Sequence, residues 1–322
     1  MPEGHSIHRI AGVFARHFVG NLAHVSSPQG RFSAGAAQID GHRIIHAHAR
    51  GKQLFLEFDN DLWLRVHLGL YGAWDFTGDI SADAADTADA ADTAVQRSAR
   101  LENLEDSLSS IGAPRRARLR IAEGEKLSAA VSVEWPPPPV GQVRVRLLTA
   151  TAIADLRGPT ACEVVRAEQV QRALAKIGPD PQVDSPFEAE ERFVTVVRTK
   201  RTPIGLLLMD QSVVAGIGNV FRAELLFRAR LNPHTPGRLV SERALRMLWH
   251  DWTALLQLAV SSGQMLTMDT TDPVAHSNAL ASRDDRHWVY LRAGLPCRVC
   301  GTNIAVELFG GRKLYWCVLD QA

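Results

Sequence analysis

The sequence predicts an α+β protein: one helix and a β-sandwich first, a helical part second, and a short cysteine-bearing β-hairpin at the end. Three observations carry this. Residues 43–74, "RIIHAHARGKQLFLEFDNDLWLRVHLGLYGAW", alternate apolar and polar residues around a turn signal, "DND". The alternation resumes in "QVRVRLLTATAIADLRG" (142–158) and "ACEVVRA" (161–167). From about residue 168 the period becomes helical, in "EQVQRALAKIG", "PFEAEERFVTVVRT", "PIGLLLMDQSVVAGIGNVFRAELLFRARL" and "SERALRMLWHDWTALLQLAV".

The first helix follows from Ile7, Ile10, Ala11, Phe14 and Phe18, which recur at helical spacing behind "MPEGH". Pro2 and Glu3 suit a helix start, since proline fits the first turn and acids favour that end. A second reading stays open: removal of Met1 leaves a secondary amine beside a carboxylate, ready for covalent chemistry. Strands follow until about residue 78. Residues 78–140 are then expected to form a disordered insertion, carrying the repeat "ADAADTADAADT" (82–93) and the stiff "WPPPPVG" (135–141). The expected units are an N-terminal domain at 1–165, a helical domain at 166–290 and a finger at 291–322. Residues 261–290 are expected to be irregular and carry no readable motif.

The chain has 322 residues and a net charge of +1, and its 46% hydrophobic composition is ordinary for a globular protein. The neutrality hides an asymmetry. Residues 79–110 hold eight acids against two arginines, a net of −6, and subtracting this from +1 leaves +7 elsewhere. A basic body is compatible with a phosphate-rich partner. No apolar run approaches the roughly 20 residues of a membrane span, so a cytosolic location is the expectation.

Four cysteines do not make a disulfide framework, and three of them cluster late. Cys297 and Cys300 form a C-x2-C knuckle and Cys317 follows at zinc-ribbon spacing, with Asp320 where a fourth cysteine would fall. Zinc held with Asp320, zinc completed by another ligand, and a metal-free hairpin all remain open. Cys162 stands alone as a buried thiol. In "GGRKLY", Arg312 sits at a hairpin tip, as a phosphate contact or a solvated side chain. Gly216 and Gly218 precede Asn219, where the unpaired N–H groups of a helix start suit an anion such as a DNA phosphate. Lys200 and Arg201 lie just upstream and could flank the same phosphates. Leu70 and Tyr71, in "HLGLYG", are either core residues or exposed wedges that fill the gap left by an extruded base. Lys52 begins a strand.

Together, "MPEG", "GKQLF", "HLGLYG", "IGPDP", "TKRTPIGLLLMDQSVVAGIGNVFRAELLFR" and "AGLPCRVCG…GRKLYWC" resemble the formamidopyrimidine-DNA glycosylase and endonuclease VIII family of base-excision repair enzymes. "PEGH" and "HLGLYG" are similar to the endonuclease VIII branch, in an actinobacterial-type second paralogue. The resemblance spans the chain except about 78–140, and it implies a helix-two-turn-helix domain ending in a zinc-ribbon-like finger. It further implies a bifunctional DNA glycosylase and abasic-site lyase acting on oxidised bases, pyrimidines favoured. Pro2 would be the nucleophile, Glu3 its acid–base partner, Lys52 the catalytic strand lysine and Arg312 the phosphate grip. Leu70, Tyr71, Lys200 and Asn219 would bind DNA, double- or single-stranded, and structural zinc would sit on Cys297, Cys300, Cys317 and Asp320. A monomer without a catalytic metal is expected. Two alternatives stay open: an enzyme preferring oxidised purines, and a damaged-DNA-binding protein without catalysis.

Overall fold

The computed structural model describes residues 2–80, 110–113, 135–268 and 272–322. The acidic repeat at 82–93 lies outside them.

Helix α1 (Gly4–His17) turns Ile7, Ile10, Val13 and Phe14 inward. Nine strands follow, β1 (Leu22–Ser26), β2 (His42–Arg50), β3 (Gln53–Phe58), β4 (Leu62–His67), β5 (Ala73–Gly78), β6 (Ser110–Gly112), β7 (Val143–Leu148), β8 (Ala152–Arg157) and β9 (Ala161–Arg166), with helix α2 (Ser33–Ile39) between β1 and β2. Their order is β6-β5-β8-β7-β1-β2-β3-β4-β9, each pair antiparallel. Strand β1 joins the halves: Leu22 and Ala23 face β2, whereas His24–Ser26 face β7. The inner faces close a β-sandwich over one apolar core, in which the Phe14 ring meets Trp74 edge-on at 5.0 Å and Phe18 at 4.9 Å. Arg146 makes a bidentate pair with Asp155 across β7 and β8, at 2.7 and 2.6 Å.

One stretch of the expected insertion is structured. Ser110–Gly112 adds edge strand β6 to β5, and Ile111 is fully buried opposite Trp74. A single apolar residue between serine and glycine is too short a signal to read as a strand.

The helical part contains α3 (Ala167–Leu174), α4 (Pro186–Thr199), α5 (Ile204–Leu207), α6 (Asn219–Arg228), α7 (Glu242–Ser262) and α8 (Pro273–Ala281). Helix α3 lies on the sandwich, packing Val170 against Phe55 and Val165. Helices α4 to α7 enclose Phe193, Phe221, Leu225, Trp249 and Trp252. The helical periodicity of 203–231 resolves into two helices separated by turns, because residues 208–218 bend through Asp210 and the glycines at 216 and 218. Residues 261–268 and 272–290 hold more regular structure than their composition suggests. Gly263 caps α7 at a φ of 73°, Met265, Leu266 and Thr267 are buried, and the Asp272 carboxylate caps α8 by accepting from Val274 N–H at 2.9 Å. Strands β10 (Ala305–Phe309) and β11 (Arg312–Trp316) make the closing hairpin. Among the described residues no helix is long and apolar enough to cross a membrane.

Candidate active site

The two parts of the chain meet at Glu3. Its backbone is extended, and it precedes α1 without capping it. Its carboxylate instead crosses to the start of α6. Gly218 N–H donates to Oε2 at 2.9 Å, Val220 N–H to Oε1 at 2.8 Å and Phe221 N–H to Oε2 at 3.4 Å. The anion expected at this helix start is therefore the protein's own carboxylate, not a phosphate; the positive end of α6 holds it in place. Glycines make the approach possible. A Cβ on Gly218 would lie 2.3 Å from Glu3 Cδ, and one on Gly4 would lie 2.7 Å from Gly216 Cα. Gly4 N–H also donates to Gly216 O at 2.9 Å. Burial pushes the Glu3 pKa up, against the opposing pull of Lys52 and the N–H donors.

Lys52 lies on the turn between β2 and β3, and it is not merely solvated. Its Nζ donates to Ile217 O at 2.7 Å, one residue from the glycine that holds Glu3. Burial lowers its pKa; the Glu3 carboxylate opposes this and the Arg312 cation adds to it. The turn is fixed from behind by Asp180, a residue the sequence reading passed over. Asp180 Oδ2 accepts from Gly51 N–H at 2.7 Å and lies 3.0 Å from His8 Nε2 on α1. The only signal for it was its place in "IGPDP". Burial opposes ionisation of Asp180, yet the His8 and backbone hydrogen bonds hold its pKa below the usual value.

The closing hairpin is docked on α6. Asn219 Nδ2 donates to Lys313 O at 2.8 Å, and its Oδ1 accepts from Arg222 Nη2 at 2.6 Å. Arg222, also missed, is fully buried and donates to Phe309 O at 3.2 Å. Burial pushes its pKa down to about 10. Arg312 follows Gly310 and Gly311, whose φ angles of 62° and 73° make the tight tip. Glu224, on the same helix, accepts from the N–H groups of Trp288, Val289 and Tyr290 at 2.8–2.9 Å and so fixes the chain entering the finger. A glutamate inside "FRAELLF" carries no sequence signal for that role.

The structure thus gathers Glu3, Lys52, Asn219 and Arg312 around the start of α6, with Pro2 buried beside Glu3. Leu70 and Tyr71 lie apart, on the loop between β4 and β5; they are 36% and 71% exposed, so the core alternative does not hold. Lys200, just past α4, and Arg201 are exposed, and Lys200 O accepts from Arg238 N–H at 2.9 Å.

The ligand atoms of Cys297, Cys300, Cys317 and Asp320 lie within 4.8 Å of one another. Three thiols and one carboxylate at that spacing suit a tetrahedral metal ion. Hydrogen bonding from Cys297, with the nearby Arg230 charge, holds the Asp320 pKa down at about 2, so the carboxylate is an available ligand.

Comparison with known proteins agrees with this geometry. Residues 1–127 match the formamidopyrimidine-DNA glycosylase N-terminal domain, and 177–271 match the H2TH domain of the same enzymes. Endonuclease 8 1 of Mycobacterium tuberculosis is 36% identical over 321 residues, covering all of both chains. The chain belongs to the formamidopyrimidine-DNA glycosylase and endonuclease VIII family. The family's formamidopyrimidine-DNA glycosylase from Acidothermus cellulolyticus is 30% identical over 331 residues, covering 100% of this chain and 97% of that one. The fold matches that of Lactococcus lactis formamidopyrimidine-DNA glycosylase in complex with DNA containing an oxidised pyrimidine, at a TM-score of 0.68 and 19% identity over 99% of each chain. Within the family, the H2TH match takes in α4, α5, α6 and the glycine turn that receives Glu3.

Proposed function

We propose that this protein is a bifunctional DNA glycosylase and abasic-site lyase that removes oxidised bases, pyrimidines favoured, through a Schiff base on Pro2. The observation that carries the proposal is the placement of Glu3. Its carboxylate is locked on the α6 N-terminus beside a half-buried lysine, while the preceding residue is a proline whose amine becomes free once Met1 is removed.

An α-amino group has an ordinary pKa of about 8, against about 10.4 for lysine, so it holds more free base at neutral pH. Attack of the Pro2 nitrogen on C1′ of the deoxyribose displaces the base, which leaves with a proton. The C1′–O4′ bond then opens with a proton delivered to O4′, leaving an iminium, since a secondary amine cannot form a neutral imine. That cation acidifies C2′–H, so loss of the C2′ proton expels the 3′ phosphate, and loss of the C4′ proton from the resulting conjugated iminium expels the 5′ phosphate. Glu3, kept protonatable by burial, moves protons at the opening sugar ring. Lys52, with a depressed pKa, delivers or holds a proton at the sugar and phosphate oxygens. Arg312 and Asn219 grip the flanking phosphates, Lys200 adds charge to the same path, and Leu70 and Tyr71 fill the space of the extruded base. Zinc on Cys297, Cys300, Cys317 and Asp320 would fix the hairpin that presents Arg312.

Borohydride trapping on abasic-site DNA tests the mechanism. A covalent adduct is expected with the untagged protein and not with Pro2→Gly, and Glu3→Gln should lose base excision. Undiminished trapping by Pro2→Gly would overturn the assignment, and absence of any wild-type adduct would favour a binding protein. Paired duplexes bearing an oxidised pyrimidine or an oxidised purine decide the substrate preference.

A further inference from the structure

Arg230 has no part in the proposed chemistry at the sugar. It stands just past α6 with a φ of 53°, a left-handed conformation that side-chain-bearing residues adopt at a cost. Its guanidinium lies over the Phe227 ring, 5.4 Å from the centroid, and Nη1 donates to Asp320 Oδ1. The second oxygen, Oδ2, turns the other way and accepts from Cys297 Sγ at 3.0 Å. The neighbouring residues reinforce the register: Gln321 Nε2 donates to Leu231 O at 3.0 Å, and Cys317 N–H donates to Gln321 Oε1 at 2.9 Å. Segment 230–231 is therefore stitched to the end of the finger at two points.

A fourth cysteine would offer one soft donor atom with no choice of orientation. An aspartate offers two hard oxygens and can swing between them, so it needs an outer partner to present one. Arg230 takes Oδ1, leaves Oδ2 for the cluster and offsets part of the charge of four anionic groups around a dication. We propose that Arg230 is a positioning residue that makes Asp320 a monodentate oxygen ligand of zinc, beside Cys297, Cys300 and Cys317. This rests on the zinc reading of the finger.

The test uses the full chain as wild type, Arg230→Gln, Asp320→Cys and the double variant. Glutamine keeps a side chain at the left-handed position, so the backbone cost is unchanged. Zinc affinity is measured by competition with a chromophoric chelator, and the ligand set by the absorption of the cobalt-substituted protein. Wild-type protein is expected to bind one zinc and to give a tetrahedral cobalt spectrum that gains thiolate charge-transfer intensity in Asp320→Cys. Arg230→Gln should weaken zinc roughly ten- to a hundredfold. In the Asp320→Cys background the same change should cost less than about twofold. Wild-type protein that binds no zinc sinks both readings. Zinc bound equally tightly by wild type and Arg230→Gln, or lost equally in both backgrounds, sinks the role of Arg230 alone.

Discussion

Gly218→Ala should disable the enzyme by displacing Glu3 alone. The φ of −118° and ψ of −158° at Gly218 are open to any residue, so the substitution carries no backbone strain. Its whole effect is steric: the new Cβ would sit 2.3 Å from Glu3 Cδ and 2.5 Å from Oε1. Glu3 must retreat by about 1 Å to reach ordinary contact, which breaks its bonds to Gly218 and Val220 N–H at 2.9 and 2.8 Å. Hydrogen bonds to a charged group contribute about 1.5–3 kcal/mol each, so losing both costs about 3–6 kcal/mol if nothing else relaxes. A 1 Å misplacement of a reacting group slows chemistry on the order of a hundredfold. Thermal and urea denaturation of wild type, Gly218→Ala, Glu3→Ala and the double variant give the coupling, and single-turnover excision gives the rate. In the Glu3→Ala background the methyl has room, and its cost should vanish. An equal cost in both backgrounds would refute the reasoning, because the methyl would then be clashing with something other than Glu3.

Asp155→Ala should cost about 3–5 kcal/mol by stranding the buried Arg146, with excision per folded molecule unchanged; a melting shift within error would contradict this. Tyr71→Ala should move stability by no more than about 0.5 kcal/mol, because the ring is 71% exposed, while weakening binding to lesion-containing duplex. Lys52→Met tests linkage. Because burial lowers the folded-state pKa of Lys52, the unfolded chain binds its proton more tightly, and wild-type stability relative to Lys52→Met should rise as pH climbs toward 10.5. A pH-independent difference in urea denaturation would show that Lys52 is not perturbed.

The periods of the sequence were enough for the sandwich strands, the long helices and the cysteine finger, since each is a local pattern repeated over many residues. They were enough also for α4, whose boundaries coincide with "PFEAEERFVTVVRT". The short strand β6 gave no usable period, and its existence depends on a neighbour: Ile111 is a strand residue because Trp74 lies opposite. The site divides in the same way. Pro2, Glu3, Lys52, Asn219 and Arg312 stood out as residue types in a recognisable order. That Glu3 caps α6 and not its own helix was decided only when residues 215 positions apart met, at a point where three glycines let two backbones close. Asp180, Arg222 and Glu224 were illegible for the same reason. A buried charge has no sequence pattern of its own, and its role is set by the N–H groups and carbonyls that folding brings around it.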